Sequence, residues 1–306
     1  MKSYDAVVIG GGPAGMTAAL YLLRAGASVA LVEKLSPGGQ VLMTSEIENY
    51  PGFPKGIKGY ELADLMTAHV GVYPHDTLND EVREIRTVGK RHQILVGSDW
   101  IEAKAVILCS GARYRKLGVP GEEAFIGRGV SYCALCDGNF FRDREVAVVG
   151  GGNSALEEAL YLSRLVKRLH LIHRRDEFRG CKCYQDKCLA HPKMAVHTSS
   201  VVQEIAGDTE VRAVLVKNLK SGEVSEIPVD GVFIFVGFEP IIEFVPETVA
   251  RDKGGLITDC EMRTNVPGIF AAGDIRSKNC RQVATAVGDG ATAATAAFAY
   301  LEQLDA

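Results

Sequence analysis

The sequence predicts an α/β protein made of two Rossmann-like dinucleotide-binding domains. Three observations carry that reading. A glycine-rich fingerprint at residues 10–15 sits between an apolar strand and a helix, the same unit returns at residues 150–155, and the chain of 306 residues is long enough for two packed domains. The formal net charge of −4 lacks the basic excess that nucleic-acid binding needs. The chain enters its first apolar run at residue 6, leaving no room for a signal peptide, and no later stretch is apolar for long enough to span a bilayer. The expectation is a cytoplasmic protein with neither nucleic acid nor membrane as partner.

Residues 6–34 read as a strand, the turn Gly10-Gly11-Gly12-Pro13-Ala14-Gly15, an Ala/Leu-rich helix and a second strand ending at Glu33. In such a unit the first glycine permits the tight turn, the second lets the backbone approach a pyrophosphate, and the third lets helix pack on strand. The helix N-terminus adds positive potential. Glu33 is placed to accept hydrogen bonds from a ribose 2'-hydroxyl, as in FAD or NAD. Residues 38–40 and 48–54 read as loops able to cover a ligand. Residues 105–109 read as a buried strand closing the first domain.

The second copy runs through the strand 146–149, Gly150-Gly151-Gly152-Asn153-Ser154-Ala155, a helix to Leu162 and the strand 169–172. Where the first copy has Glu33, this one has His173, followed by Arg174, Arg175 and Arg179. A carboxylate there would repel a 2'-phosphate, whereas guanidinium groups bind one by charge-assisted contacts, so copy two suits NADPH. The competing account of the arginines is a solvated basic face. Near the C-terminus, residues 268–274 read as a strand leading to a loop, followed by an Ala-rich helix from about Gln282 to Leu304. Its N-terminus would favour negative charge on a reduced flavin, and its small residues allow close backbone approach.

Between the copies lies Cys133-Ala134-Leu135-Cys136-Asp137-Gly138. Two thiols at this spacing close a small disulfide, accept an electron pair and pass it on by exchange. A C-x-x-C is also half of a four-thiolate zinc site, but no second one exists. The residues alone read Asp137 equally as an acid/base beside the thiols and as a turn or cap aspartate, since Asp-Gly is a strong turn dipeptide.

Taken in order, residues 10–15, Gly38-Gly39-Gln40, residues 133–138, 150–155, His173-Arg174-Arg175 with Arg179, Gly273-Asp274 and Arg281-Gln282 resemble the low-molecular-weight, bacterial-type thioredoxin reductases over essentially the whole chain. The resemblance implies a discontinuous FAD domain, residues 1–112 and 243–306, with an NADPH domain carrying the C-x-x-C inserted at 113–242, and a homodimer. It places Gly10, Gly12, Ala14, Gly15, Glu33, Lys34, Gly39, Gln40, Asn49, Asp274, Arg281 and Gln282 at FAD. It places Gly152, Asn153, Ser154, His173, Arg174, Arg175 and Arg179 at NADPH. It makes Cys136 the sulfur that takes the electron pair from the flavin, Cys133 the thiol that attacks the disulfide of thioredoxin, and Asp137 the acid/base. Because the dithiol and the NADPH site share the inserted domain while the flavin is held in the other, the order of motifs predicts, with the resemblance in support, that the inserted domain rotates about the chain crossings near 112–117 and 240–244.

The alternatives are a flavin disulfide reductase with another redoxin or electron donor, and a slow nucleotide-binding redox sensor. The sequence departs from the family at Cys181, Cys183 and Cys188 with His191 nearby, a spacing that matches no common zinc framework. These thiols, like Cys109, Cys260 and Cys280, read as small hydrophobes, and no metal is expected. Asn139 is a further departure, where an aromatic or small apolar residue is usual.

Overall fold

The computed structural model describes residues 1–44 and 46–305. The chain divides into two compact units, residues 1–113 with the segment from Glu239 onward, and residues 114–238.

The first unit opens with β1 (Lys2–Ile9), α1 (Pro13–Arg24) and β2 (Val29–Val32). Pro13 fits the first helical turn, where a missing N–H costs nothing, and Gly26 follows the helix end with φ +88°. Residues 38–40 do not stay a loop. Gly38 donates its N–H to the Gly11 carbonyl, 2.7 Å away, and its φ of +128° turns the chain into a 3-10 helix over Gly39–Met43. Then follow α2 (Gly59–Val70), β3 (Asp76–Leu78), the hairpin β4 (Val82–Val88) and β5 (Arg91–Val96), and β6 (Asp99–Leu108).

The chain crosses to the second unit through β7 (Ala112–Tyr114). That unit contains β8 (Val130–Ser131), the single-turn α3 (Ala134–Asp137), β9 (Glu145–Gly150), α4 (Asn153–Leu162), β10 (Arg168–Ile172), α5 (Lys182–Leu189), β11 (Met194–His197), β12 (Ser200–Gly207), β13 (Val211–Asn218), β14 (Val224–Pro228) and β15 (Gly231–Phe235). It returns through β16 (Phe238–Pro240), which pairs with β7 as a two-stranded ribbon. The last segment adds β17 (Arg251–Asp252), β18 (Gly255–Leu256), β19 (Ile269–Ala271) and α6 (Val283–Asp305).

The strand order is β3-β2-β1-β6-β5-β4 in the first unit, with β19 also parallel to β6, and β11-β10-β9-β15-β8 in the second. Both faces of each parallel sheet are covered, by helices on one face and, on the other, by the β4-β5 hairpin with the segment before β19 in the first unit and by the β12-β13-β14 sheet in the second, so these strands are apolar throughout and parity decides which core each side chain enters. Ala6 and Val8 of β1 join Ala105 and Ile107 against α1 and α6, while Val7 and Ile9 join Val106 and Leu108 on the opposite face. In the second unit Val146 and Val148 pack with Leu169, Leu171 and α4, and Ala147 and Val149 face Val214 and Val216 of the antiparallel β12-β13-β14 sheet. Each fully buried Val, Leu or Ile contributes roughly 1.5–3 kcal/mol of transfer free energy.

Two glycines permit close backbone approaches at the first fingerprint, one of α1 to the turn and one of α6 to α1. A Cβ at Gly15 would overlap the Gly10 carbonyl oxygen, and one at Gly290 of α6 would overlap the carbonyl of Ala14 in α1. The Ala-rich composition of α6 therefore serves close packing on α1.

Candidate active site

In the first unit the fingerprint turn is tied to the end of β2. The Gly11 N–H donates to Glu33 Oε2 at 2.7 Å, and the Leu35 N–H donates to Glu33 Oε1 at 3.0 Å, so the carboxylate is locked beside the turn. The side of Gly12 where a Cβ would stand is open space, whereas Gly39 lies against the Gly12 backbone. A cavity of about 480 Å³ runs along this edge, lined by Gly10, Glu33, Lys34, Val82, Ser110 and Arg113 among others.

The structure draws the remaining candidates of this unit into one neighbourhood only in part. Gly273 approaches Ala14, which brings Asp274 beside the start of α1. Asp274 Oδ1 is buried without a hydrogen-bond partner, with Lys278 Nζ 3.9 Å away. Burial pushes the Asp274 carboxyl up, against the pull of Lys278 and Arg281. Asn49 Nδ2 donates to Gln282 Oε1 at 3.0 Å, and Gln40 donates its side-chain amide to the Ala112 carbonyl. Arg281 donates to the carbonyls of Lys278 and Gly254 at 2.8 and 3.0 Å. Lys34 pairs with Glu81 at 3.2 Å on the cavity rim, where both are exposed.

Asp289 of α6, which sequence reasoning missed, organises this corner. Its carboxylate accepts from the Gly273 N–H at 3.0 Å and pairs with Arg276 and Lys278, each at 2.8 Å. Its signal was an acid flanked by glycines in the Ala- and Thr-rich first half of the helix.

In the second unit the same turn meets a different strand end. His173 is buried, and its ring stacks on Phe178 with centroids 5.3 Å apart. A Cβ at Gly151 would overlap this imidazole, so glycine is required there by the histidine. His173 Nε2 lies 3.1 Å from the Glu177 carbonyl, and burial, reinforced by Arg179, Arg175 and Arg174, holds the imidazole below its ordinary pKa despite that bond. The three guanidinium groups are exposed. The Arg179 N–H donates to the Gly151 carbonyl at 2.7 Å, and Asn153 Oδ1 accepts from the Cys181 N–H at 2.7 Å. The strand-following segment is thereby closed over the helix start, where Ser154 is exposed and Gly152 again faces open space.

Cys133 and Cys136 form a disulfide. Cys133 caps α3, and its Sγ accepts from the Cys136 N–H at 3.2 Å. A backbone N–H aimed at that sulfur favours its thiolate once the bond is opened. Asp137, half-buried on the same turn, has its carboxyl pushed up by burial, with a hydrogen bond from Ser131 pulling it back. Leu135 and Phe140 stand 43% and 40% exposed on either side of Asp137, with exposed Asn139 between. On α4, Glu158 Oε2 is buried without a hydrogen-bond partner, and burial followed by repulsion from Glu157 pushes this carboxyl up to about 7.

The remaining thiols divide. Cys109 and Cys188 are buried, as expected of small hydrophobes, but Cys181, Cys183, Cys260 and Cys280 are exposed, which corrects that expectation for these four. Tyr184 and Cys188, four residues apart on one face of α5, meet the core, so Cys188 packs among Leu156 and Phe178 while Cys183, off that face, is exposed. Among the described residues no group of three or more His, Cys, Asp or Glu side chains is arranged to hold a metal ion, and no helix is long and apolar enough to cross a membrane.

Duplicate dinucleotide cradles and a cysteine pair define a class, and comparison with known proteins agrees. The model of the family described as pyridine nucleotide-disulphide oxidoreductase matches residues 4–290. The chain belongs to that family and is an oxidoreductase. Within the family its similarity is to thioredoxin reductases. It is 44% identical over 304 residues to that of Treponema pallidum (strain Nichols), covering 98% of both chains. It is 45% identical over 305 residues to that of Listeria monocytogenes serovar 1/2a, covering 99% of this chain and 95% of the relative. The thioredoxin reductase structure from Streptococcus pyogenes MGAS5005 superposes with a TM-score of 0.93 at 47% identity, covering 98% of this chain and 99% of that one. That from Lactococcus lactis in its FR conformation gives 0.68 at 45% identity with the same coverage.

Proposed function

We infer that this protein is a thioredoxin reductase that moves an electron pair from NADPH through FAD and the Cys133–Cys136 pair to the disulfide of thioredoxin, in the cytoplasm and as a homodimer. The observation that carries this reading is the disulfide between Cys133 and Cys136 on the turn that also holds the half-buried Asp137, in a chain with two dinucleotide cradles.

Residues 1–112 and 243–306 are assigned to FAD, and 113–242 to NADPH. The first cradle suits FAD: Gly10, Gly12, Ala14 and Gly15 present an open backbone face, and Glu33 stands at the ribose end. Asp274 offers a buried oxygen in need of a donor, which a hydroxyl-bearing cofactor satisfies. Lys34, Gly39, Gln40, Asn49, Arg281 and Gln282 complete this assignment. The second suits NADPH, with Gly152, Asn153 and Ser154 at the helix start and His173, Arg174, Arg175 and Arg179 at the ribose end. An uncharged His173 leaves the 2'-phosphate to the arginines, whose exposed forks make bidentate contacts. Bound FAD supplies the conversion of a hydride into an electron pair that sulfur accepts.

The chain's own residues do the exchange. Once the pair is reduced, the Cys133 thiolate attacks one sulfur of thioredoxin's disulfide, forming a mixed disulfide and expelling the other sulfur as thiolate. Asp137 gives its proton to that departing thiolate. The carboxylate left on Asp137 then takes the Cys136 proton, and the Cys136 thiolate attacks Cys133 Sγ, re-forming the internal disulfide and expelling thioredoxin's second sulfur as a thiolate that takes up a proton from solvent. Leu135 and Phe140 offer apolar ground beside the pair for a protein substrate.

Anaerobic titration of the purified flavoprotein with NADPH, followed by oxidised thioredoxin, tests this. Flavin absorbance is expected to bleach and then recover. Bleaching by dithionite but not by NADPH would overturn the electron donor, and bleaching without recovery would overturn the substrate.

A further inference from the structure

Ser131 ends β8, two residues before the first cysteine, and is 4% exposed. Its hydroxyl has three polar neighbours. The Cys133 N–H donates to Ser131 Oγ at 3.1 Å, Asp137 Oδ2 lies 2.6 Å from Oγ, and the Cys133 carbonyl lies 3.3 Å away. A hydroxyl carries one proton, so it serves one of the two acceptors. The carboxylate is nearer, and its separation is that of a charge-assisted O–H···O⁻ bond. The result is a directed chain from the Cys133 N–H, through the Ser131 oxygen, to Asp137 Oδ2.

We propose that Ser131 is a positioning residue for dithiol–disulfide exchange: its hydroxyl fixes Asp137 by Oδ2 to the backbone of Cys133, leaving Oδ1 as the oxygen that exchanges a proton with the departing thiolate. The proposal rests on the thioredoxin reductase reading above, but its geometry does not depend on which disulfide is reduced. Without the bond, the Asp137 side chain rotates about its own χ angles on a short helical turn, and its proton is held in no fixed relation to the sulfurs. The bond also stabilises the ionised carboxylate against the cost of its burial, so losing it makes Asp137 a weaker acid. The other titratable groups on neighbouring elements are Tyr132 beside the motif and Glu157, Glu158 and Tyr161 on α4, which packs against α3.

The test uses the FAD-loaded protein and four substitutions, Ser131→Ala, Ser131→Thr, Ser131→Val and Asp137→Asn. Thr and Val have nearly the same volume and differ in the hydroxyl, so they keep the comparison meaningful if Ser131→Ala does not fold. After reduction with dithiothreitol, the rate of Cys133 alkylation by iodoacetamide is followed against pH, and the inflection that Asp137→Asn removes is assigned to Asp137. That inflection is expected to move up by about one pH unit in Ser131→Ala and Ser131→Val and to stay in place in Ser131→Thr. Turnover with thioredoxin is expected to fall roughly tenfold in Ser131→Ala, and the double variant Ser131→Ala/Asp137→Asn to be no slower than Asp137→Asn alone. An unmoved inflection in Ser131→Val, or losses that multiply in the double variant, would overturn the proposal. Because the alkylation profile involves no thioredoxin, failure of the wild-type protein to reduce thioredoxin overturns the substrate reading separately.

Discussion

The two dinucleotide units share a turn, a helix and the neighbourhood of three parallel strands, yet they end their second strands in opposite ways. Beside β2 a carboxylate reaches back and accepts from the Gly11 N–H, whereas beyond β10 an uncharged imidazole fills the equivalent space against Gly151, and three guanidinium groups stand outside it. The pyrophosphate cradle is a backbone property and is copied intact. On the function proposed above, nucleotide choice is a side-chain property, written in a few residues past one strand. The glycine at the second position answers a different neighbour in each copy, a carboxylate in one and a ring in the other.

The glycines give the sharpest way to break this comparison. Gly15→Val puts a side chain into the Gly10 carbonyl, and overpacking backbone against backbone is expected to cost 3 kcal/mol or more in the first unit, with loss of bound flavin. Gly152→Ala, with nothing within 4 Å of the new Cβ, is expected to fold with a full complement of flavin and to weaken NADPH binding alone. Flavin absorbance per chain and the melting temperature separate the two. Should both variants keep flavin, close approach of α1 to the turn is not what Gly15 supplies.

The arginines come next. Replacing Arg174, Arg175 and Arg179 together by Ala is expected to raise the KM for NADPH by about two to three orders of magnitude, roughly 3–4 kcal/mol, and to leave the KM for NADH nearly unchanged. Steady-state kinetics with both nucleotides reads the ratio. An equal loss for both would make the arginines a general basic face.

Acid sensitivity is expected in both units, since burial also holds the His92 imidazole of the first unit below its ordinary pKa, and in the second unit it falls at a similar or slightly smaller scale. In the second unit His170 and His197 stack with ring nitrogens 3.1 Å apart, and burial, then His197, pushes His170 down to about 4. A histidine whose pKa is lower folded than unfolded binds more protons when unfolded. Its contribution is therefore intact above about pH 6.5 and lost as the pH falls towards 4, about 3 kcal/mol in all. Denaturant titrations at intervals between those limits are expected to show the second unit weakening, and His170→Gln to flatten the dependence.

The smallest effect belongs to Glu33. Glu33→Gln keeps the shape but weakens the bond to Gly11, and about 1–2 kcal/mol, near tenfold, is expected to be lost from flavin retention, measured by the dissociation rate in denaturant below the unfolding transition.

What the sequence disclosed was local. The fingerprints, Glu33, His173 with its arginines, and the cysteine pair lie within short stretches where strand, turn and helix follow each other, so spacing alone identifies them. What stayed hidden depends on contacts distant in sequence or on depth. The β4–β5 hairpin joins the main sheet through β6, and β12-β13-β14 forms a separate sheet, neither of which a βαβ pattern announces. Asp289 acts on Gly273 across a turn and the start of a helix. Ser131 is close to the cysteines in sequence, but a serine ending a short strand gives no hint that its hydroxyl is buried and faces a carboxylate. Cys260 and Cys280 show the converse, since a thiol in sequence carries no mark of being inside or outside.

The ribbon formed by β7 and β16 has a consequence for ancestry. The chain leaves the first unit and re-enters it through adjacent strands, with the Ile241 N–H bonded to the Gly111 carbonyl on one side of the crossing and the Arg115 N–H to the Gly237 carbonyl on the other. Residues 114–238 are thus attached like a cassette whose two ends share one doorway. A gene encoding the host acquires such a guest at a single point, because neither end has to be carried across the fold to meet its continuation.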